Sequence, residues 1–192
     1  MEAKANMINI YANADSAKKV DIIIRHYPNF MGIVDGYTDG IRYMIENEKA
    51  YNRKTVHGDL GVRVQSRGNY SDTTGNTAVA NVITRDAVVA CDFSGDVLEG
   101  VDRRDVYQHE ALILRTMRQD YELFNQQLGI LGKEEAEVFG EFIRGEKNLS
   151  AIAEDKGIVY ESAQQRILRT KRKIKIQMVR FLEGSMGGRI NA

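Results

Sequence analysis

Between Tyr160 and Phe181, Ala163, Ile167, Thr170, Ile174, Met178 and Phe181 recur every third or fourth position. A strand would alternate every second residue, so this spacing lines one side of an α-helix of about six turns. Such a stripe has to be covered by other elements of the chain. The remainder is compatible with a helical answer. The 192 residues include one proline and no tryptophan, and 43% are hydrophobic, enough for a packed core.

The same segment concentrates charge. The whole chain is neutral, with 27 Lys/Arg against 27 Asp/Glu, yet Ser162 to Leu182 carries seven basic residues and no acid. Residues 131–192 hold 12 basic residues against 9 acids, and the rest of the chain holds 15 against 18. Solvated helices normally interleave signs, and a local basic field governs contact with a polyanion more than total charge does. A step of about 100° per residue puts Glu161, Gln164, Gln165, Leu168, Arg169 and Arg172 on the outer face. Bidentate geometry lets Gln read adenine and Arg read guanine. Lys171, Lys173 and Lys175 flank that face and are expected to touch phosphates, which adds affinity without sequence information. Tyr160, Glu161, Ser162, Gln164, Gln165, Arg166, Arg169, Lys171, Arg172 and Lys173 form the expected DNA-binding set.

Upstream, Leu131–Ile143 reads as an amphipathic helix, with Val138, Phe139 and Phe142 inward and Glu134, Glu135, Glu137 and Glu141 toward water. Gly145 to Lys147 turns the chain. Asn148 is the expected N-cap of a helix over Leu149–Lys156, and Gly157 its left-handed end. Two helices joined by such a turn can seat the second in the DNA major groove.

Residues 131–175 resemble region 4 of bacterial sigma factors, and within them the extracytoplasmic-function group. The pattern runs without a gap through Leu131, Glu137-Val138-Phe139, Ile152-Ala153, Gly157-Ile158-Val159, Ala163, Arg166-Ile167, Arg169-Thr170-Lys171 and Lys173-Ile174. Three positions depart from it. Val159 stands where a capping Ser is usual, a loss of about 0.5–2 kcal/mol. Lys156 stands where a buried Leu is usual, and Gly140 interrupts the first helix. Residues 1–130 do not resemble the rest of a sigma factor. In size and layout the chain is similar to phage and prophage late-gene transcription regulators of Gram-positive bacteria, with Ser71 to Ala78 similar to their linker. The resemblance implies a sequence-specific transcription regulator acting with RNA polymerase on double-stranded DNA. Two alternatives stand beside it: a phage DNA-packaging recognition subunit, and a polymerase-binding adaptor that does not read DNA.

The expected architecture is all-α. It comprises an N-terminal helical region (1–52), a linker (53–75), a middle helical region (76–130), a helix-turn-helix domain (131–183) and a flexible tail (184–192). Ser16–His26 reads as a helix, and Met7–Asp15 is ambiguous. Pro28 either breaks the register or starts the next helix, over Asn29–Tyr51. Gly32, Gly36 and Gly40, four apart, suit close helix packing. Val62 and Val64 suit a short strand. Asn76–Leu98 has high β-propensity, yet Val79, Val82, Ile83, Ala87, Ala90 and Phe93 make a helical stripe, and helix is favoured. Asp105–Leu128 reads as a helix with Ala111, Leu112, Met117, Tyr121, Phe124 and Leu128 near one face.

Catalytic and metal chemistry find no support in the sequence. His26, His57 and His109 are far apart, and no His/Cys cluster has ligand spacing. Cys91 is alone and suits a core position. Asp92 to Asp96 superficially resembles a metal loop but lacks the acids of an EF-hand and reads as a turn. Gly184 to Gly188 precedes no helix. The expectation is a cytoplasmic non-enzyme without cofactor or metal. No apolar run approaches the roughly 18 residues that a membrane span needs. A second apolar stripe on the C-terminal helix, Leu168, Ile176 and Val179, leads to an expected homo-oligomer or a closed contact with the N-terminal helices.

Overall fold

A computed structural model describes residues 7–56 and 73–187, and every regular element in them is helical. The helices are α1 (Met7–Ala12), α2 (Ser16–His26), a 3-10 turn (Tyr27–Asn29), α3 (Phe30–Val56), α4 (Thr73–Ala90), α5 (Arg104–Ile130), α6 (Lys133–Ile143), α7 (Leu149–Asp155) and α8 (Tyr160–Gly187). The all-α class is as expected. Residues 53–56 and 73–75 of the expected linker are helical, and α8 runs through residues 184–187 of the expected tail. The expected strand at Val62 and Val64 lies outside the described residues.

Capping chemistry fixes several ends. The Lys18 N–H donates to Asp15 Oδ1 at 2.7 Å, which opens α2. Pro28 occupies the first positions of the 3-10 turn, where its missing N–H costs nothing. The N–H of Ala151 donates to Asn148 Oδ1 at 2.9 Å, and Gly157 takes φ +60°, so α7 is bounded as expected.

The chain divides into two compact units, residues 1–33 with 117–192 and residues 34–116. The divisions fall inside α3 and α5, not at linkers. In the first unit, α2, α6 and α7 each pack on α8. Ile8, Tyr11, Val20, Ile23, Phe30, Met117 and Phe124 are buried. Phe30 stacks on Tyr121 with centroids 5.3 Å apart. The buried Tyr11 hydroxyl donates to Asp120 Oδ2 at 2.8 Å, and burial raises the Asp120 carboxyl above its ordinary range. The α8 stripe is buried at Ala163, Ile167, Thr170, Ile174 and Met178, but then continues at Leu182. Phe181, expected inside, is 50% exposed. The cause is α2, whose Asp21 holds Lys171 and Lys175 and so covers the side of α8 on which Leu182 lies.

The second unit is built on α4 and the adjoining parts of α3 and α5. Here the expected α4 stripe is corrected. Val79 and Val82 are each 59% exposed and Ile83 is also exposed, while Thr84, Ala87 and Val88 are buried. The polar pairs Thr84–Glu46 and Arg42–Asn81 link α4 to α3 on that inward side. α4 ends at Ala90, and Cys91 closes it at φ 51°, so Phe93 is outside the helix. Asp92 Oδ1 accepts the Ser94 N–H at 3.0 Å and turns the chain. A Cβ added at Gly32, Gly36 or Gly40 would meet nothing within 4 Å, so these glycines do not serve close packing. Leu112, expected on the α5 core face, is exposed beside the buried Ala111, Ile113 and Leu114.

One carboxylate fastens the start of α5 to α3. Glu48 Oε1 accepts the N–H groups of Asp102 (2.7 Å) and Arg103 (3.1 Å). Its Oε2 accepts the Tyr107 hydroxyl (2.6 Å) and Arg103 Nε (3.2 Å). Orphan donors at a helix start are thus met by a side chain from another helix. The Tyr107 bond, followed by those from Arg103 and Asp102, outweighs desolvation and holds the Glu48 carboxyl at about 2.

Candidate nucleic-acid interface

α6, α7 and α8 form the platform on which the expected residues sit. α6 is amphipathic as read, with Val138, Phe139 and Ile143 buried. It begins at Lys133, leaving Leu131 outside the helix. Gly140 does not interrupt α6; a Cβ there would lie 2.7 Å from Nη1 at the flexible end of Arg144, whose Nε and Nη2 donate to Glu146. Lys156 follows the last turn of α7 and is half-buried, with its N–H donating to the Ile152 carbonyl at 3.1 Å.

The start of α8 follows the turn at Gly157 and the two non-helical residues Ile158 and Val159. The Ser162 and Ala163 N–H groups donate to the Val159 carbonyl at 3.0 and 3.2 Å. Val159 offers no side-chain acceptor and is exposed. Glu161, in the first turn, interacts favourably with the positive end of the helix dipole.

The outer face is exposed as expected. Tyr160, Glu161, Gln164, Gln165, Arg166, Leu168, Arg169 and Arg172 all reach solvent, while Ser162 is half-buried. Gln164, Gln165, Arg169 and Arg172 therefore lie along one accessible side of α8, over about two and a half turns.

The phosphate contacts are where the expectation changes. Lys171 pairs with Asp21 at 3.0 Å and Lys175 pairs with the same carboxylate at 2.6 Å. Lys173 pairs with Glu135 at 2.8 Å, and Arg166 with Glu134 at 3.4 Å. The Thr170 hydroxyl also donates to Glu135, at 2.9 Å. Glu134, Glu135 and Glu141 therefore do not simply face water; Glu141 pairs with Lys147 at 3.0 Å. Desolvation pushes the Asp21 carboxyl up, but hydrogen bonds from Lys175 and Lys171 bring it below its ordinary range. The Lys173 bond and then Thr170 lower Glu135. Four of the seven basic side chains are thus partnered. Arg169, Arg172 and Arg180 have no ion pair among the described residues.

The residues that sequence reasoning missed are the three acids. Glu134 and Glu135 line a groove of about 170 Å³ with Val138, Phe139, Arg166, Ile167, Arg169 and Thr170. Their position in the first turn of α6 was legible, but their approach to α8 depends on packing. Asp21 lies some 150 positions upstream and carried no signal. Among the described residues, no group of His, Cys, Asp and Glu could hold a metal ion, and no helix is long and apolar enough to cross a membrane.

No family model, curated protein or solved structure matches this chain.

Proposed function

We propose that this protein is a sequence-specific DNA-binding transcription regulator whose α7–turn–α8 unit acts as a helix-turn-helix. The observation that carries the reading is the exposed strip of Gln164, Gln165 and Arg169 on an α8 backed by α6, α7 and α2. These side chains suit base edges, and a packed helix presents them without first having to be ordered. Arg172 and Arg180 supply phosphate contacts, while Tyr160, Glu161 and Ser162 border the entry of the helix. The resemblance of residues 131–175 to sigma region 4 supports action with RNA polymerase, and the overall layout supports a phage-related role. Arg166, Lys171 and Lys173 serve mainly to fasten α8 to α6 and α2.

The polymerase-binding adaptor that does not read DNA is the second reading. Neutralisation of four basic side chains favours it, as do the exposed apolar residues Val159, Tyr160 and Leu168 around the strip.

Salt dependence tests the assignment. The two arginines assigned to phosphate, Arg172 and Arg180, predict a slope of log affinity against log salt of about −2 per chain on duplex DNA, against about −6 if all seven basic residues met phosphate. Asp21→Asn releases Lys171 and Lys175 and is expected to steepen the slope by about 1–2 units per chain. Fluorescence titration of a labelled duplex across a salt series reads both. A slope near zero contradicts DNA binding. An Asp21→Asn slope equal to wild type shows that the two lysines do not approach phosphate even when released.

A further inference from the structure

We propose that α8 pairs with α8 of a second copy of this chain, antiparallel, through a seam formed by Arg172, Ile176, Val179 and Glu183. α6, α7 and α2 leave one arc of α8 uncovered, and on it these four residues recur at intervals of four, three and four. Ile176 is 54% exposed and Val179 half-buried, although both are apolar, and Leu168, 53% exposed, extends the row. An exposed and a half-buried β-branched residue flanked by charges of opposite sign that lack an ion pair among the described residues are what a helix–helix seam presents. Arg172 and Glu183 have no ion pair among the described residues.

Charge selects the partner and its direction. In an antiparallel pair centred between Gln177 and Met178, Ile176 of one copy faces Val179 of the other, and the same contact repeats across the two-fold axis. Arg172 then faces Glu183 at both ends of this core, closing it with two ion pairs. A parallel pair in register would set Arg172 against Arg172 and Glu183 against Glu183, which opposes it. A second copy satisfies both halves of the seam with residues already on the chain.

The pairing rests on the exposed face alone, but it has a consequence for the proposed DNA reading. Position 187 of the partner lies opposite Leu168, so the first turns of α8, with Glu161, Gln164 and Gln165, stay outside the overlap. The two Gln165 positions fall about 37 Å apart along the pair at 1.5 Å per residue, close to the roughly 34–36 Å spacing of half-sites one DNA turn apart. In the dimer Glu183 takes Arg172 from the DNA face, which leaves Arg180 on phosphate and makes the expected salt slope shallower by about 1 unit per chain than for the monomer.

Sedimentation equilibrium of the full chain without DNA, from about 1 to 200 μM, tests the seam in the range expected for an interface below standard size. The wild-type mass is expected to rise from 21.7 kDa toward twice that value. Ile176→Glu and Arg172→Glu are each expected to shift the association constant by at least tenfold toward monomer, with unchanged melting at about 1 μM, where wild type is monomeric, because both side chains are exposed in the monomer. The exchange Arg172→Glu with Glu183→Arg is expected to restore the dimer. A wild type that stays at 21.7 kDa throughout overturns the proposal. So does a dimer that persists in either single variant, or a double exchange that stays monomeric. Because no DNA is present, these outcomes leave the DNA reading standing or falling on its own titration.

Discussion

Arg169→Ala is expected to lower affinity for the preferred duplex by about 1–3 kcal/mol, a loss of roughly 5- to 150-fold, with a much smaller loss on random duplex. Arg169 is exposed on the outer strip of α8 and has no ion pair among the described residues, so its guanidinium is available for a bidentate contact with guanine. Gln165→Ala, about one turn away, is expected to relax preference at a different base. The contrast lies with Lys173→Ala. Its ammonium is held by Glu135, so its loss should disturb the α6–α8 contact and change affinity for all duplexes alike. Paired titrations on preferred and random duplexes, with melting curves as a control for folding, check this. Equal losses for Arg169→Ala on both duplexes would place that residue on the phosphates instead of the bases.

The largest expected effect on stability is at Glu48. Glu48→Gln keeps the shape but presents an amide to four donors that now meet a carboxylate. A loss on the order of 2 kcal/mol at pH 7 is expected, discounted because Arg103 is well exposed. The pH dependence has a definite sign. The folded carboxyl sits at about 2 against an ordinary 4.5, so its contribution is complete above about 4.5 and is lost as pH falls toward about 2. Urea unfolding of wild type and Glu48→Gln at pH 7, 4.5 and 3 should therefore show a gap that is widest at pH 7 and narrows on acidification. A gap that is constant with pH would mean that Glu48 acts through shape and not through charge.

Local chemistry was legible in the sequence where one element decides it. Ser16–His26 is helical over the expected residues, Asn148 caps α7, and Gly157 takes the left-handed conformation. The outer face of α8 was legible because helical spacing alone separates it from the stripe. What could not be read depended on distant partners. α4 buries Thr84, Ala87 and Val88 because Glu46 and Arg42 of α3 meet its polar side chains there, so its most apolar residues, Val79, Val82 and Ile83, are left in solvent. Lys171 and Lys173 resembled phosphate anchors because nothing near them in sequence is acidic; the carboxylates that claim them come from α2 and α6. The aromatic group of Tyr27, Phe30, Tyr121 and Phe124 joins segments about 90 positions apart and left no periodic trace.

The central claim is that the exposed strip of α8 reads base sequence. Selection of duplexes from a random-sequence pool by the full-length protein tests it most directly. The account predicts enrichment of a short motif whose most constrained positions lose their preference in Arg169→Ala and Gln165→Ala selections. A pool that emerges with its input composition, from a protein that is folded by its melting curve, would contradict the account and leave the adaptor reading in its place.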